Sequence, residues 1–215
     1  MERKTRSGYL MLADISGYTS FVANTEIEHA HVVLSFLLEA LVEKLGACLT
    51  ISKLEGDAVF CYCEESNFPQ GKSMLGLIDN TYLTFRDKAQ ELWFQATCDC
   101  KACKAIPTLD LKFMVHHGDF IIQQVAGIKD LLGTDVNLIH RLTKNHVAES
   151  MGWQGYALFT NQGLERAQMD KAAFIQQTEA YEHLGEVETY VMDMHVRYAA
   201  LKAGNFGISN QGERS

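Results

Sequence analysis

Tyr9-Leu10-Met11-Leu12-Ala13-Asp14-Ile15-Ser16-Gly17-Tyr18-Thr19-Ser20 is the stretch that decides how this chain folds. A short apolar run stops on an aspartate and then turns through a glycine. A run this short, closed by turn residues, reads as a buried strand. The Asp14 carboxylate therefore stands at the strand's mouth, half out of a hydrophobic core. Few structural roles need a charge there, and holding a hard cation is one that does. A second carboxylate, Asp57, lies in Lys53-Leu54-Glu55-Gly56-Asp57-Ala58-Val59-Phe60, again where a glycine meets an apolar run. Two such aspartates on separate strands are the minimal equipment of a two-metal site acting on phosphate. Taken singly, Asp14 also reads as a helix N-cap before Thr19 and Ser20, and Asp57 as a plain hairpin residue.

The rest of the chain sets the context. Its 215 residues are 47% hydrophobic, enough for one sizeable core. A formal net charge of −8 argues against broad binding to nucleic acid or an anionic membrane, although a small anionic ligand held by a metal is compatible with it. No apolar stretch approaches the roughly 18 residues that span a bilayer. The basic start (Arg3, Lys4, Arg6) leads into an apolar run too short for a signal peptide. The expectation is a soluble cytoplasmic protein, in which the 6 cysteines are free thiols or metal ligands.

Strands are expected at Tyr9 to Ala13, Ala47 to Leu54, Ala58 to Cys63, Leu109 to His116, Phe120 to Val125, Tyr156 to Thr160 and Glu188 to Met194. Helical spacing of apolar residues covers about Thr25 to Leu45, with Gly46 as its C-cap. It recurs from Lys72 to about Phe94 and from near Asp135 to Val147. Pro69 and Pro107 sit in loops. Tight hairpins are expected at Glu55-Gly56-Asp57 and around Gly118. Hairpins mixed with crossover helices give an antiparallel-rich sheet with helices on one face, an α+β fold.

Three segments, in order, resemble the class III adenylate/guanylate cyclase catalytic domain. Leu12 to Thr19 resembles its first metal motif. Lys53 to Ala58 resembles its second, with Lys four residues before Asp. Asp130-Leu131-Leu132-Gly133-Thr134-Asp135-Val136-Asn137-Leu138-Ile139-His140-Arg141-Leu142 resembles its third. The resemblance runs from about Tyr9 to Met194 and implies a ferredoxin-like βαββαβ core. One domain is expected over residues 1–203, with a Cys-rich elaboration near 95–108, and the Gly-, Asn- and Ser-containing stretch at 204–215 reads as a flexible tail. By the same resemblance, Asp14, Asp57 and the Ile15 carbonyl hold two Mg2+ or Mn2+ ions. Lys53 and Asp130 read adenine, Asn137 orients the ribose, and Arg141 stabilises charge on the α-phosphate. The implied reaction converts ATP to 3′,5′-cyclic AMP at a homodimer interface. One protomer brings the metal aspartates and the other brings the remaining residues. The family's triphosphate-gripping lysine is missing, since Leu184 stands in its place in His183-Leu184-Gly185-Glu186-Val187. That departure leaves, as the alternative, a weak or inactive homologue acting as a nucleotide-binding or zinc-stabilised regulatory module.

Cys98-Asp99-Cys100-Lys101-Ala102-Cys103 is foreign to the cyclase pattern. Three clustered thiols suggest a structural zinc site lacking one tetrahedral ligand. Candidates for the fourth are Cys61 or Cys63, of which only one can face the cluster, and His116 or His117. Reduced cysteines without a metal are the plainer reading.

Overall fold

Strand β1 (Arg6–Ser16) is buried from Gly8 to Ala13, because both faces of the sheet are covered. A computed structural model of the protein describes residues 4–68 and 73–209, with side chains to residue 204. After β1 come helices α1 (Tyr18–Asn24) and α2 (Ile27–Gly46), then β2 (Thr50–Glu55) and β3 (Ala58–Glu64). Helices α3 (Met74–Gln95) and α4 (Lys101–Ala105) lead to β4 (Asp110–Val125), β5 (Ile128–Leu132), α5 (Thr134–Arg141) and α6 (Val147–Met151). The chain continues through β6 (Tyr156–Thr160), α7 (Asn161–Arg166), β7 (Ile175–Tyr181), β8 (Gly185–Asp193) and α8 (Met194–Ser209). The sheet order is β2-β3-β1-β4-β6-β8-β7, with β5 paired to the far end of β4. All pairings are antiparallel except β4 with β6. This is the expected α+β, antiparallel-rich architecture.

Side chains alternate across a strand, so β1 feeds two cores. Tyr9, Met11, Ala13 and Ile15 pack under α2 and α3, against Leu37, Leu41, Ile78 and Phe85. Leu10 and Leu12 face the other way, onto Phe60, Met114 and the α5 residues Val136 and Ile139. The larger helices share one face as expected, and α5 closes a smaller core on the opposite one. Asp14 belongs by alternation to the α5 face, which is where the polar chemistry gathers.

Several elements differ from expectation for physical reasons. Leu109 to Val125 is no hairpin: β4 passes straight through Gly118, which pairs with Gly8. A Cβ at Gly118 would fall inside the Asp135 side chain, so this glycine permits a close approach and makes no turn. The chain reverses later, at Ala126 (φ 51°) and Gly127 (φ 87°), between β4 and β5. Two consecutive left-handed residues are the backbone of a type I′ turn, and alanine is a poor signal for one. The helix expected from Thr25 forms as α2, but a short helix not expected from the sequence, α1, precedes it and begins at Tyr18 behind Gly17 (φ 86°). The helix expected to reach Val147 breaks after Arg141 into a short turn and α6. Helix α8 continues to Ser209, into the stretch expected as tail, and residues 210–215 lie outside the described residues. So do Pro69 and the expected helix start at Lys72.

Candidate active site

Asp14 sits within β1, opposite Ala58 of β3 and Lys112 of β4. It is not a helix cap, since Gly17 holds that position for α1. The Ile15 N–H donates to the Asp57 carbonyl at 3.3 Å, which locks the β2–β3 turn against the end of β1. The two carboxyl groups are thereby brought together. Burial and the neighbouring Asp14 charge, reinforced by a side-chain hydrogen bond to Asp14, raise Asp57 to about 7. Lys112 Nζ lies 3.1 Å from Asp14 Oδ2 and partly offsets the repulsion. Two half-buried carboxylates held this close are short of positive charge, so the donor set fits divalent cations with hard oxygen ligands.

Lys53 and Asp130 come from β2 and β5, elements that are distant in sequence, yet Nζ and Oδ1 stand 3.3 Å apart. Lys53 also pairs with Glu55 Oε1 at 3.2 Å. Burial opposes the Lys53 charge, but the hydrogen bonds to Glu55 and Asp130 outweigh it and raise its pKa. Asp130 is lowered, first by the Leu131 N–H at 2.9 Å and then by Lys53.

Asn137 and Arg141 occupy successive turns of α5, and both are exposed. They line a cleft of about 320 Å³ with His140, Glu182, His183 and Leu184. Leu184 belongs to the turn between β7 and β8, so the position where the resembling family carries lysine does open onto the α5 cleft. Among the described residues, no hydrogen bond or ion pair joins Asp14 or Asp57 to Asn137 or Arg141.

Two neighbours were not anticipated from sequence. Lys112 touches Asp14, as above. His140 Nδ1 lies 3.2 Å from Glu55 Oε2, and its ring packs on Phe60 with centroids 4.7 Å apart. Burial lowers the His140 pKa despite Glu55, so the ring is neutral near pH 7. Its position one residue before Arg141 was the only available signal.

On the opposite helical layer, the cysteine cluster finds a partner that was not foreseen. His29 Nδ1 of α2 lies 3.0 Å from Cys100 Sγ and 3.6 Å from Cys98 Sγ. The candidates Cys61 and Cys63 are ruled out as fourth ligand. Cys61 is fully buried in the sheet, with its thiol toward the Met11 carbonyl, and Cys63 Sγ faces the Glu64 carbonyl. His116 is also engaged elsewhere, with Nδ1 2.8 Å from Thr160 Oγ1, and His117 packs edge-on against Tyr9.

A family model described as a protein of unknown function (DUF2652) matches residues 34–151. The uncharacterized protein Rv2561/Rv2562 of Mycobacterium tuberculosis is 30% identical over 164 residues, covering 74% of this chain and 72% of that one. The crystal structure of the guanylyl cyclase Cya2 superposes with a TM-score of 0.69 at 16% identity, over 89% of this chain and 93% of that one. The adenylyl cyclase CyaB from P. aeruginosa gives 0.66 at 16% identity, over 89% and 95%. Likeness at that identity speaks to fold alone. No described helix is long and apolar enough to cross a membrane. The chain thus belongs to the DUF2652 family, and its fold is that of the class III nucleotidyl cyclase catalytic domains.

Proposed function

We propose that this protein is a nucleotidyl cyclase that converts ATP to 3′,5′-cyclic AMP and pyrophosphate at the interface of a homodimer. The observation that carries this reading is the Asp14–Asp57 pair, two carboxyl groups close enough to raise Asp57 to about 7 on the end of β1. Asp14, Asp57 and the Ile15 carbonyl would hold two Mg2+ or Mn2+ ions. Such ions, when bound, lower the pKa of the ribose 3′-hydroxyl and neutralise the polyphosphate. The 3′-oxygen attacks the α-phosphorus, the bond to the bridging oxygen of pyrophosphate breaks, and the hydroxyl proton passes to water. Arg141 offers a planar fork to the α-phosphate oxygens, where charge builds up. Asn137, one turn away, orients the ribose. Lys53 donates to the adenine ring nitrogen and Asp130 accepts from its exocyclic amine, so the base edge replaces the direct contact of 3.3 Å between them.

The test is an assay of purified protein with Mn2+ and either ATP or GTP, with cyclic product separated by chromatography. Cyclic AMP in excess over cyclic GMP is the expected result. Product formed equally well by Asp57→Ala would sink the catalytic reading.

A second reading, a nucleotide-binding homologue with weak or no turnover, draws on two observations. Leu184 lines the α5 cleft where a phosphate donor is wanted, and Lys112 occupies Asp14 at 3.1 Å. Loss of one such donor costs on the order of 10²–10³ in rate. Leu184→Lys is therefore expected to raise kcat by about ten- to a hundredfold, with a smaller change in KM. Steady-state kinetics of the two proteins side by side decide this. An unchanged kcat would mean that position 184 does not face the triphosphate.

A further inference from the structure

We infer that His29, Cys98, Cys100 and Cys103 bind one structural zinc ion as a closed Cys3His site. The four ligand atoms all lie within 4.8 Å of one another. Cys98 Sγ is 3.2 Å from Cys100 Sγ and 3.0 Å from Cys103 Sγ, while His29 Nδ1 is 3.0 Å from Cys100 Sγ. These separations are far longer than a disulfide bond of about 2.05 Å. With Zn–S bonds of about 2.3 Å, the edge of a tetrahedron is about 3.8 Å. Shifts of a few tenths of an ångström in exposed or half-exposed side chains span that difference. Three thiolates and one imidazole form a soft donor set that favours zinc over Mg2+ or Ca2+. Four protein ligands leave no open position for substrate, so the site is structural.

The frame is already built from ordinary contacts. His29 lies in the first turn of α2, while the cysteines belong to the segment between α3 and β4. The Glu26 carboxylate accepts from the Lys101 and Ala102 N–H groups at 3.4 and 3.2 Å, holding α4 against the start of α2. Cys100 Sγ accepts from the Cys103 N–H at 3.4 Å and caps α4. Ala102 and Ile106 are buried in the main core and fix the segment from below.

The clamp also bears on the strand that carries Asp14. The same segment ends at Thr108, whose carbonyl lies 3.0 Å from where a Cβ at Gly17 would be. Gly17 caps α1, which follows the Asp14–Ile15 pair directly. Zinc here staples α2 to the α3–β4 connection and braces the turn behind the carboxylates. The inference does not depend on the cyclase reading, because it uses none of the same side chains.

Elemental analysis of protein purified without chelator is expected to give about one zinc per chain. Asp57→Ala should retain that zinc, and His29→Ala should lose at least half of it. Cys98→Ser/Cys103→Ser should lose essentially all of it. His29→Cys restores four soft ligands and should restore the zinc, which separates ligation from folding. A thiol reagent should find about three more reactive cysteines after chelation than before. Cobalt exchange should give the intense absorption of tetrahedral cobalt thiolate. The inference is overturned by less than about a tenth of an equivalent of zinc, by zinc content unaffected in His29→Ala and the double serine variant, or by a Cys98–Cys103 disulfide in protein purified under reducing conditions.

Discussion

Asp57→Asn is expected to abolish cyclic nucleotide formation and, in the same molecule, to raise the melting temperature of the metal-free protein at pH 8. The two effects share one origin. Asp57 is raised to about 7 by burial and by the Asp14 charge beside it. An aspartate with an ordinary value of about 3.8 that rises on folding binds its proton more tightly in the native state. Its contribution to stability is therefore fully present below about pH 4 and is lost as pH climbs toward 7. Above that range the native state holds two carboxylates together at a cost, partly offset by Lys112 beside Asp14. Asparagine keeps the shape and removes one charge, so the gain in stability should be large at pH 8 and shrink toward pH 4. Divalent cations act in the opposite sense on the parent protein. They bind the ionised pair and expel the remaining proton, so Mn2+ should raise its melting temperature more at pH 8 than at pH 6. The variant should show little response. Its turnover should fall by about three orders of magnitude or more, as befits removal of a cation ligand at a phosphoryl centre. Melting curves at pH 4, 6 and 8, with and without Mn2+, together with the cyclase assay, check both halves. A variant less stable than its parent at pH 8 would show that the pair is no site of stored repulsion.

What was legible in the sequence follows from how local each signal is. Asp14 and Asp57 stood out because a charge interrupts an apolar run, and burial makes that anomaly meaningful. The resemblance singled out the α5 residues Asn137 and Arg141, and spacing added only that they share one helix face, which is a local property. The β7 strand was missed because it is the sheet's edge. Ile175–Tyr181 buries only Glu179, so no apolar alternation marks it. Gly118 misled because a glycine demanded by Asp135, seventeen residues later, looks identical to one demanded by a turn. His29 was beyond reach for the same reason. Its cysteine partners lie about seventy residues away, in the segment between α3 and β4, and an exposed histidine near the start of α2 carries no periodic signal. Lys112 was similarly silent, since its partner is set by the β1–β4 register and by nothing in its neighbourhood along the chain.

Mixing two inactive variants should restore activity if the site is shared between protomers. Within one chain the acidic pair stands at the end of β1, Lys53 of β2 pairs with Asp130 of β5, and Asn137 and Arg141 lie on α5. Among the described residues, no contact joins Asp14 or Asp57 to Asn137 or Arg141. A two-fold symmetric, head-to-tail pair would bring each protomer's carboxylates to its partner's α5, creating two equivalent sites. Asp57→Asn then damages one half of each site and Arg141→Ala the other half. Each homodimer is dead in both sites. A mixed dimer carries both lesions in one site and neither in the other. Equal mixing with free exchange makes about half of all dimers mixed, each with one sound site, so activity should recover to about a quarter of the parent value. Co-expression of the two variants provides the exchange if purified dimers are slow to dissociate. Size-exclusion chromatography of each variant first establishes that both still assemble. Recovery near a quarter supports a site built in trans. Two assembled but inactive variants that give no recovery on co-expression would place all the machinery within one chain, and the dimeric mechanism would have to be abandoned.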